Sequence, residues 1–160
     1  MRFVIVTGVS GAGKTAALKM LEDMNYFCVD NLPIQLLEKF ASLLPEMQGE
    51  NVRNVALGID ARSGSALDEL EVVLERMKNT GYEYEILFMD AEDSVLVKRY
   101  KESRRSHPLA RTGRIDEGIR LEREKTKFLR RRADYIIDTS HLLTRELRQE
   151  IERIFVDDRE

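Results

Sequence analysis

The chain has 160 residues, of which 42% are hydrophobic and 34% are charged, and its formal net charge is −3. This length favours one domain with a real hydrophobic core, and the composition excludes collagen-like, coiled-coil and disordered proteins. The mean charge conceals an uneven distribution, because residues 98–132 hold 14 basic and 5 acidic side chains whereas the rest of the chain holds 12 and 24.

The first half of the chain alternates between short β-branched runs and longer amphipathic stretches. Pro33 is suited to the first turn of a helix, and we expect Pro45 to stop that helix. The predicted elements are a buried strand at 3–6, a helix at 14–24, a strand at 26–29 and a helix at 33–44.

The second half continues the alternation, and Thr144 is expected to cap the last helix. Strands that alternate with helices predict an α/β fold, a parallel five-stranded sheet with helices on both faces. Residues 1–155 form one predicted domain, and residues 156–160 are a tail or the start of a linker. The predicted elements are strands at 52–59, 86–89 and 135–137 and helices at 64–79, 93–105, 116–131 and 144–155.

The cellular location follows from two features. A single cysteine, Cys28, cannot form an internal disulfide, which favours a reducing compartment. No apolar run reaches the roughly 18–20 residues of a membrane helix, and the N-terminus lacks a signal peptide's apolar core. We therefore predict a cytoplasmic protein without membrane contact, in which Cys28 is a small buried hydrophobe without redox chemistry.

The segment after the first predicted strand matches the pattern G-x-x-x-x-G-K-[ST] at every fixed position. Glycines allow successive N–H groups to turn inward as an anion nest, and the following helix N-terminus adds donors. Lys14 is expected to reach the β- and γ-phosphates, and the Thr15 hydroxyl is expected to ligate Mg²⁺. The predicted phosphate-binding residues are Gly8, Val9, Ser10, Gly11, Ala12, Gly13, Lys14 and Thr15.

A phosphate loop also needs an acidic residue for Mg²⁺ or its water. We prefer Asp60 as the catalytic and metal residue, because in kinase-like P-loop proteins the third strand lies beside the first and the fourth lies on its other side. Asp90 remains an alternative, and Asp30 either meets a phosphate acceptor or caps the helix near Pro33. The aspartates that end predicted strands are Asp30, Asp60, Asp90 and Asp138.

Two further residues lie at strand exits. Arg62 contacts a phosphate or a base, or is simply exposed. His141 follows the last strand, where related folds hold a purine ring, and we expect it to be a surface histidine rather than a catalytic base.

The basic segment contains arginines on either side of a Pro- and Gly-containing connection between two helices. A helical hairpin at about 98–132 is similar to the lid of small kinases, which closes over the nucleotide and delivers a guanidinium to the transferring phosphate. Arg104 and Arg105 are therefore catalytic candidates, with Arg111 and Arg114 nearby. Two alternatives stay open. One is a solvated charge run, and the other is RNA binding through phosphates. The interleaved acidic residues that favour solvated faces are Glu102, Glu117, Glu122 and Glu124.

Several strings go beyond a generic phosphate loop, and the string Tyr-Phe-Cys-Val-Asp-Asn-Leu-Pro at 26–33 is the most specific. Together and in this order they resemble the RapZ/YvcJ family of bacterial nucleotide-binding proteins, also called RNase adapter proteins. The resemblance extends from the first residues to about Arg148. The strings lie at residues 8–15, 26–33, 60–63, 104–109 and 138–140.

This resemblance implies an ATP- and GTP-binding protein with weak hydrolase activity. It implies ATP at residues 8–15, and it assigns GTP contacts to Asp60, Ala61, Arg62 and Ser63. Both groups lie at neighbouring strand ends, so they describe one crevice. Members of the family carry a second, C-terminal domain that in some of them binds RNA and an amino-sugar phosphate, and this chain corresponds to the N-terminal domain alone.

The sequence therefore favours a regulatory switch domain that binds ATP or GTP with Mg²⁺ and hydrolyses it slowly. One alternative is a small-molecule kinase with a true phosphate acceptor. The other is an RNA-interaction module in which nucleotide binding is vestigial. RNA or protein partners are expected through the absent C-terminal domain, and the choice between ATP and GTP stays open.

Overall fold

The structure is a computed structural model that describes residues 2–47, 54–59, 64–103 and 114–156. Its centre is a five-stranded parallel sheet with the strand order β2-β3-β1-β4-β5. This architecture confirms the predicted fold class. The strands are β1 Phe3–Gly8, β2 Phe27–Val29, β3 Val55–Gly58, β4 Glu85–Asp90 and β5 Tyr135–Asp138.

Helices cover both faces of the sheet. The first and last helices pack together on one side, and the third and fifth pack together on the other. All six residues of β1 are buried as a result, which explains its unbroken apolar sequence. The helices are α1 Lys14–Asp23, α2 Ile34–Met47, α3 Gly64–Thr80, α4 Asp93–Ser103, α5 Ile115–Arg132 and α6 Thr144–Phe155.

The register of the sheet brings the ends of three strands together. Ile5 of β1 lies opposite Leu57 of β3 on one side and Ile86 of β4 on the other. The third and fourth strands therefore flank the first, as predicted. Because all strands are parallel, the loop after β1 opens at the same edge as the ends of β2, β3 and β4, where open parallel sheets bind ligands.

Two predicted helix ends differ from the structure. Helix α2 continues past Pro45 to Met47, so the prediction that Pro45 stops it was wrong. Proline keeps a helical φ and breaks only the bond to the carbonyl four residues earlier, so a last half-turn still forms. Helix α6 begins at Thr144 with Leu143 as its N-cap, and the Glu146 carboxylate accepts the Leu143 N–H at 2.8 Å, so Thr144 does not cap it.

Among the described residues, no helix has both the length and the apolar character needed to span a bilayer.

A cluster around Arg2 ties the amino ends of the strands to the end of α6. The Arg2 guanidinium donates to both carboxylate oxygens of Glu85, at 2.6 and 2.9 Å, and to the Ile154 carbonyl at 2.8 Å. It also lies 4.9 Å from the ring centroid of Phe155. The hydrogen bonds from Arg2, opposed in part by burial, lower the pKa of the Glu85 carboxyl below its ordinary value.

We expect Arg2→Met to lower the free energy of unfolding at pH 7 by about 2 kcal/mol, because a bidentate, partly buried ion pair is lost. The control Arg148→Met removes a more exposed pair with Asp23 and should cost under about 1 kcal/mol. Urea denaturation measures both values.

The effect of Arg2→Met on the free energy of unfolding should also depend on pH. A carboxyl whose pKa is lowered by folding stabilises the protein above its unfolded pKa, about 4.3, and this contribution is lost as the pH falls through the folded value. The difference in the free energy of unfolding between wild type and Arg2→Met should therefore become smaller below about pH 4. An equal difference at pH 7 and pH 3.5 would contradict the ion pair as its cause.

Candidate functional site

The loop between β1 and α1 has the geometry of a phosphate-binding loop. Gly11 and Gly13 adopt positive φ angles of 86° and 104°, which glycine tolerates without strain. Helix α1 begins at Lys14, and its N-cap Gly13 makes no side-chain hydrogen bond to the first turn. The N–H groups of that turn and the helix dipole are therefore directed at the loop, where they attract an anion.

The Lys14 ammonium lies across the ends of β2 and β3. It is 3.7 Å from the Asp30 carboxylate and 3.5 Å from the Ile59 carbonyl oxygen. Asp30 also accepts the N–H of Asn31 at 2.8 Å. Asp30 thus faces the crevice beside Lys14. Of its two alternatives, helix capping does not agree with the structure, because α2 starts four residues later at Ile34.

Thr15 lies exposed in the first turn of α1, directly after Lys14, which is paired with Asp30. A hydroxyl and a nearby carboxylate are the hard oxygen donors that Mg²⁺ prefers, so the residues present suit this ion with phosphate oxygens as further ligands. No group of three or more His, Cys, Asp or Glu side chains converges within the described ranges. Asp60, Ala61, Arg62 and Ser63 lie outside those ranges.

Asp90 at the end of β4 is buried and paired with two arginines. Its carboxylate accepts from Arg123 at 2.9 Å and from Arg130 at 3.2 Å, and it also accepts the Ala91 N–H at 2.8 Å. Burial opposes the charge of Arg123, but its hydrogen bonds to Asp90 and Asp93 outweigh burial and raise its pKa above the ordinary value. This pairing makes Asp90 an anchor for α5 and a poor candidate for a metal ligand.

Glu122 of α5 contacts the phosphate loop directly, and it is only 1% exposed. Its two carboxylate oxygens accept the Ser10 N–H at 2.7 Å and the Ser10 hydroxyl at 2.6 Å. The alternative that puts the interleaved acidic residues on a solvated helix face therefore does not hold for Glu122. The missed signal is the spacing of Ile119, Glu122, Thr126 and Leu129, which puts all four on one buried stripe of the helix.

Arg99 of α4 ties the phosphate loop to the end of β5. Its guanidinium donates to the Gly11 carbonyl at 2.9 Å, to the Thr139 hydroxyl at 3.1 Å and to the Thr139 carbonyl at 2.9 Å. The Thr139 hydroxyl in turn donates to the Ala12 carbonyl at 2.8 Å. Sequence reasoning missed Arg99 because it is one of many basic residues in its segment.

A cavity of about 250 Å³ lies beside the loop, between Arg99 and the turn that follows β5. It is the place where a purine ring was predicted. A larger groove of about 720 Å³ lies at the opposite edge of the sheet, where Tyr84 and Asp134 precede β4 and β5, and therefore does not adjoin the loop. The cavity is lined by Gly11, Ala12, Gly13, Arg99, Thr139, Leu142, Leu143, Thr144 and Leu147.

The remaining predicted residues divide between surface, half-buried and undescribed positions. His141 is 81% exposed and lies 3.6 Å from Glu92, so it is a surface histidine. Cys28 in β2 is half-buried, so the prediction that it is buried was wrong. Burial, with a smaller contribution from Glu22, still raises the pKa of its thiol to about 11, which keeps it protonated at neutral pH. The predicted arginines Arg104, Arg105 and Arg111 lie outside the described residues.

Many basic side chains in the described part of the basic segment form ion pairs with acidic side chains of the same chain. Arg114 pairs with Asp116, Arg120 pairs with Glu124, and Arg132 pairs with Glu75. Arg123 and Arg130 share Asp90, as described above. The excess positive charge is therefore partly balanced by intramolecular ion pairs, which favours the interpretation of these residues as solvated or anchoring side chains.

The sequence profile of the RapZ-like N-terminal domain matches residues 1–159. The chain belongs to the RapZ-like N-terminal domain family. A nucleotide-binding protein of Lachnoclostridium phytofermentans is 65% identical over 158 residues, which are 99% of this chain and 55% of that protein. A nucleotide-binding protein of Agathobacter rectalis is 61% identical over 98% of this chain and 53% of its own length. The chain thus spans about half the length of these relatives.

The solved structures establish the kinase-like fold independently of sequence similarity. The shikimate kinase of Acinetobacter baumannii, solved in complex with shikimate, superposes with a TM-score of 0.60 at 18% identity. The superposition covers 100% of this chain and 96% of the kinase. At this identity the likeness concerns the fold alone.

Proposed function

We propose that this chain is a nucleotide-binding domain that binds ATP or GTP with Mg²⁺ and hydrolyses it slowly, as the regulatory switch of a longer protein. The observation that carries this proposal is the continuity between the phosphate loop and the 250 Å³ cavity, which share Gly11, Ala12 and Gly13. A triphosphate on the loop and a purine in the cavity fit one connected site. The names of the family relatives agree with this proposal.

The phosphates would lie against the N–H groups at the start of α1, with Lys14 as their cation. The distance of 3.7 Å between Lys14 and the partly exposed Asp30 marks a weak ion pair. Turning the ammonium from Asp30 to a phosphate oxygen therefore costs little. Because a phosphate carries more charge than one carboxylate, the ammonium gains by this movement.

Mg²⁺ would be held by Thr15, with Asp60 as the acidic residue that orients it or its water. The ion supplies charge neutralisation to the phosphates. Thr15 contributes a hydroxyl oxygen from the rigid first turn of α1. For Asp60 the support is the sequence pattern alone, namely an aspartate that follows the strand next to β1.

The contacts of Asp60, Ala61, Arg62 and Ser63 with GTP, and those of Arg104 and Arg105 with the transferring phosphate, rest on the family resemblance and on the sequence. Because β3 lies next to β1, residues 60–63 follow a strand end at the crevice. We therefore propose one site in which ATP and GTP compete, rather than two sites.

Isothermal titration calorimetry with ATP and GTP in the presence of Mg²⁺ tests this proposal, together with a phosphate-release assay. We expect one molecule of nucleotide per chain and mutual competition. Tight binding of ATP to a chain already saturated with GTP would contradict the single site. If neither ATP nor GTP binds, the result would contradict the proposed function itself.

A kinase is the second candidate, because Asp30 provides a carboxylate beside Lys14 at the open edge of the crevice. Such a carboxylate is suited to accept the proton of an acceptor hydroxyl. Transfer of labelled γ-phosphate to one metabolite, at a rate far above hydrolysis, would favour the kinase over the switch. In that case Asp30→Asn should abolish transfer while nucleotide binding persists.

A further inference from the structure

The buried carboxylate of Glu122 is joined to the phosphate loop from outside the loop's own sequence motif. Both of its oxygens accept hydrogen bonds from Ser10, one from the N–H at 2.7 Å and one from the hydroxyl at 2.6 Å. Burying a carboxylate is unfavourable unless strong hydrogen bonds compensate, and short hydrogen bonds to a charged group are the stronger class. The two bonds from Ser10 therefore hold the Glu122 carboxylate at one defined place beside the loop.

The helix that carries Glu122 is anchored on both sides of that residue. Ile119 and Leu129 are buried in the core, and the neighbouring Arg123 donates to Asp90 at 2.9 Å and to the Ala91 carbonyl at 2.6 Å. Glu122 therefore extends from a platform that is fixed to the end of β4. These anchoring contacts all lie outside the loop that Glu122 contacts.

Three N–H groups of the loop already have acceptors within the protein. The Val9 N–H donates to the Met89 carbonyl at 3.1 Å, and the Ala12 N–H donates to the Val9 carbonyl at 3.2 Å. The Ser10 N–H donates to Glu122. These three bonds orient the loop in advance, and the N–H groups of the first turn of α1 remain directed at the place of a phosphate.

We propose that Glu122 is a positioning residue that pre-organises the phosphate loop for the triphosphate. This inference rests on the proposed nucleotide-binding function. A loop that is ordered before binding loses less conformational entropy when the ligand arrives, which increases affinity. Glu122 acts through Ser10 and does not itself contact the phosphate.

Glu122 also has an effect that opposes triphosphate binding. Its negative charge lies near the place of the triphosphate and repels it. Glu122→Gln separates the two effects, since glutamine keeps the shape, loses the charge and keeps one oxygen acceptor. Pre-organisation predicts weaker binding in this variant. Repulsion predicts tighter binding.

The test compares Glu122→Gln, Glu122→Ala and Ser10→Ala with a matched control, Glu124→Gln. Glu124 lies two residues further along α5, is exposed and pairs with Arg120. Calorimetry measures the affinity of each folded variant for Mg²⁺-ATP, for inorganic tripolyphosphate and for adenosine. Urea denaturation measures its stability, and Glu122→Gln keeps the test available if Glu122→Ala fails to fold.

We expect Glu122→Gln to weaken ATP and tripolyphosphate binding by the same factor, about ten-fold, as one hydrogen bond to a charged group is lost. Adenosine binding and the Glu124→Gln control should be unchanged. In the double variant Ser10→Ala/Glu122→Gln the two losses should be less than additive, because both act through one contact. A merely structural role would lower stability without this selectivity for the phosphate ligands.

Two outcomes would overturn the inference. One is a folded Glu122→Gln variant with unchanged or tighter tripolyphosphate binding, and the other is fully additive losses. Failure of the wild-type chain to bind either nucleotide would instead refute the proposed function. The two failures are therefore distinguishable.

Discussion

Replacing Lys14 with alanine is expected to weaken ATP and GTP binding by about 30- to 150-fold and to abolish hydrolysis. The charge-assisted contact between an ammonium and phosphate oxygens contributes about 2–3 kcal/mol, and no other residue of the described loop carries a positive charge. Hydrolysis falls further, because the same ammonium stabilises the charge that develops on the transferring phosphate.

The fold should tolerate this change. The contacts of Lys14 with Asp30 and with the Ile59 carbonyl are long, at 3.7 and 3.5 Å, and contribute little to stability. The thermal midpoint of the variant should therefore lie close to that of the wild type. Loss of folding in Lys14→Ala would mean that the lysine has a structural role that its contacts do not indicate.

Lys19→Ala is the matched control for this experiment. Lys19 is an exposed lysine on the same helix, α1, one turn beyond the loop. Its removal changes the net charge by the same amount but should leave nucleotide affinity within about two-fold, since screening weakens a distant exposed charge. Equal affinity of Lys14→Ala and wild type for both nucleotides would refute the assignment of the phosphate site.

Gly8→Ala is expected to prevent stable folding, with a loss of at least about 4 kcal/mol. Gly8 pairs with Met89 in the sheet register and has a φ of 141°. A Cβ atom at this position would lie 2.1 Å from the Met89 carbonyl oxygen and 2.7 Å from its nitrogen. The obstacle is the backbone of β4 at the centre of the sheet, which cannot move aside without breaking strand pairing.

Gly81→Ala separates the clash from the unfavourable φ angle. Gly81 also has a positive φ, 95°, but an added Cβ would meet nothing within 4 Å. This control should cost only about 1 kcal/mol. Urea denaturation and the yield of folded protein measure both variants, and comparable losses for Gly8→Ala and Gly81→Ala would contradict the close approach of β1 and β4.

The expected failure of Gly8→Ala has a consequence for the motif. The glycines of G-x-x-x-x-G-K-[ST] belong to a loop whose backbone N–H groups bind phosphate. In this chain the first glycine of the motif, Gly8, cannot be replaced by a larger residue because β1 and β4 approach each other closely at that position. Gly13, by contrast, has a positive φ and only ordinary van der Waals distances around an added Cβ, the shortest being 3.8 Å.

Much of the fold could be predicted from local sequence patterns. The β-branched run of β1, the glycine-rich loop after it and the periodic apolar residues of α3 are each signals within a short window. The ends of elements were less predictable. Pro45 lies inside α2 because a helix near its end loses only one hydrogen bond to a proline, whereas the pattern favours a stop.

The residues of the site also divide into those that a local sequence pattern predicts and those that it does not. The phosphate loop and its lysine are contiguous in the chain, so the sequence determined them by itself. The tertiary structure alone decided that Asp90 pairs with arginines, that Arg99 binds Gly11 and Thr139, and that Glu122 holds Ser10. Ser10 and Glu122 are 112 residues apart, and Arg99 and Gly11 are 88 apart. No local pattern encodes such contacts, because the folded sheet and its helices create the neighbours that turn an ordinary charged residue into a specific one.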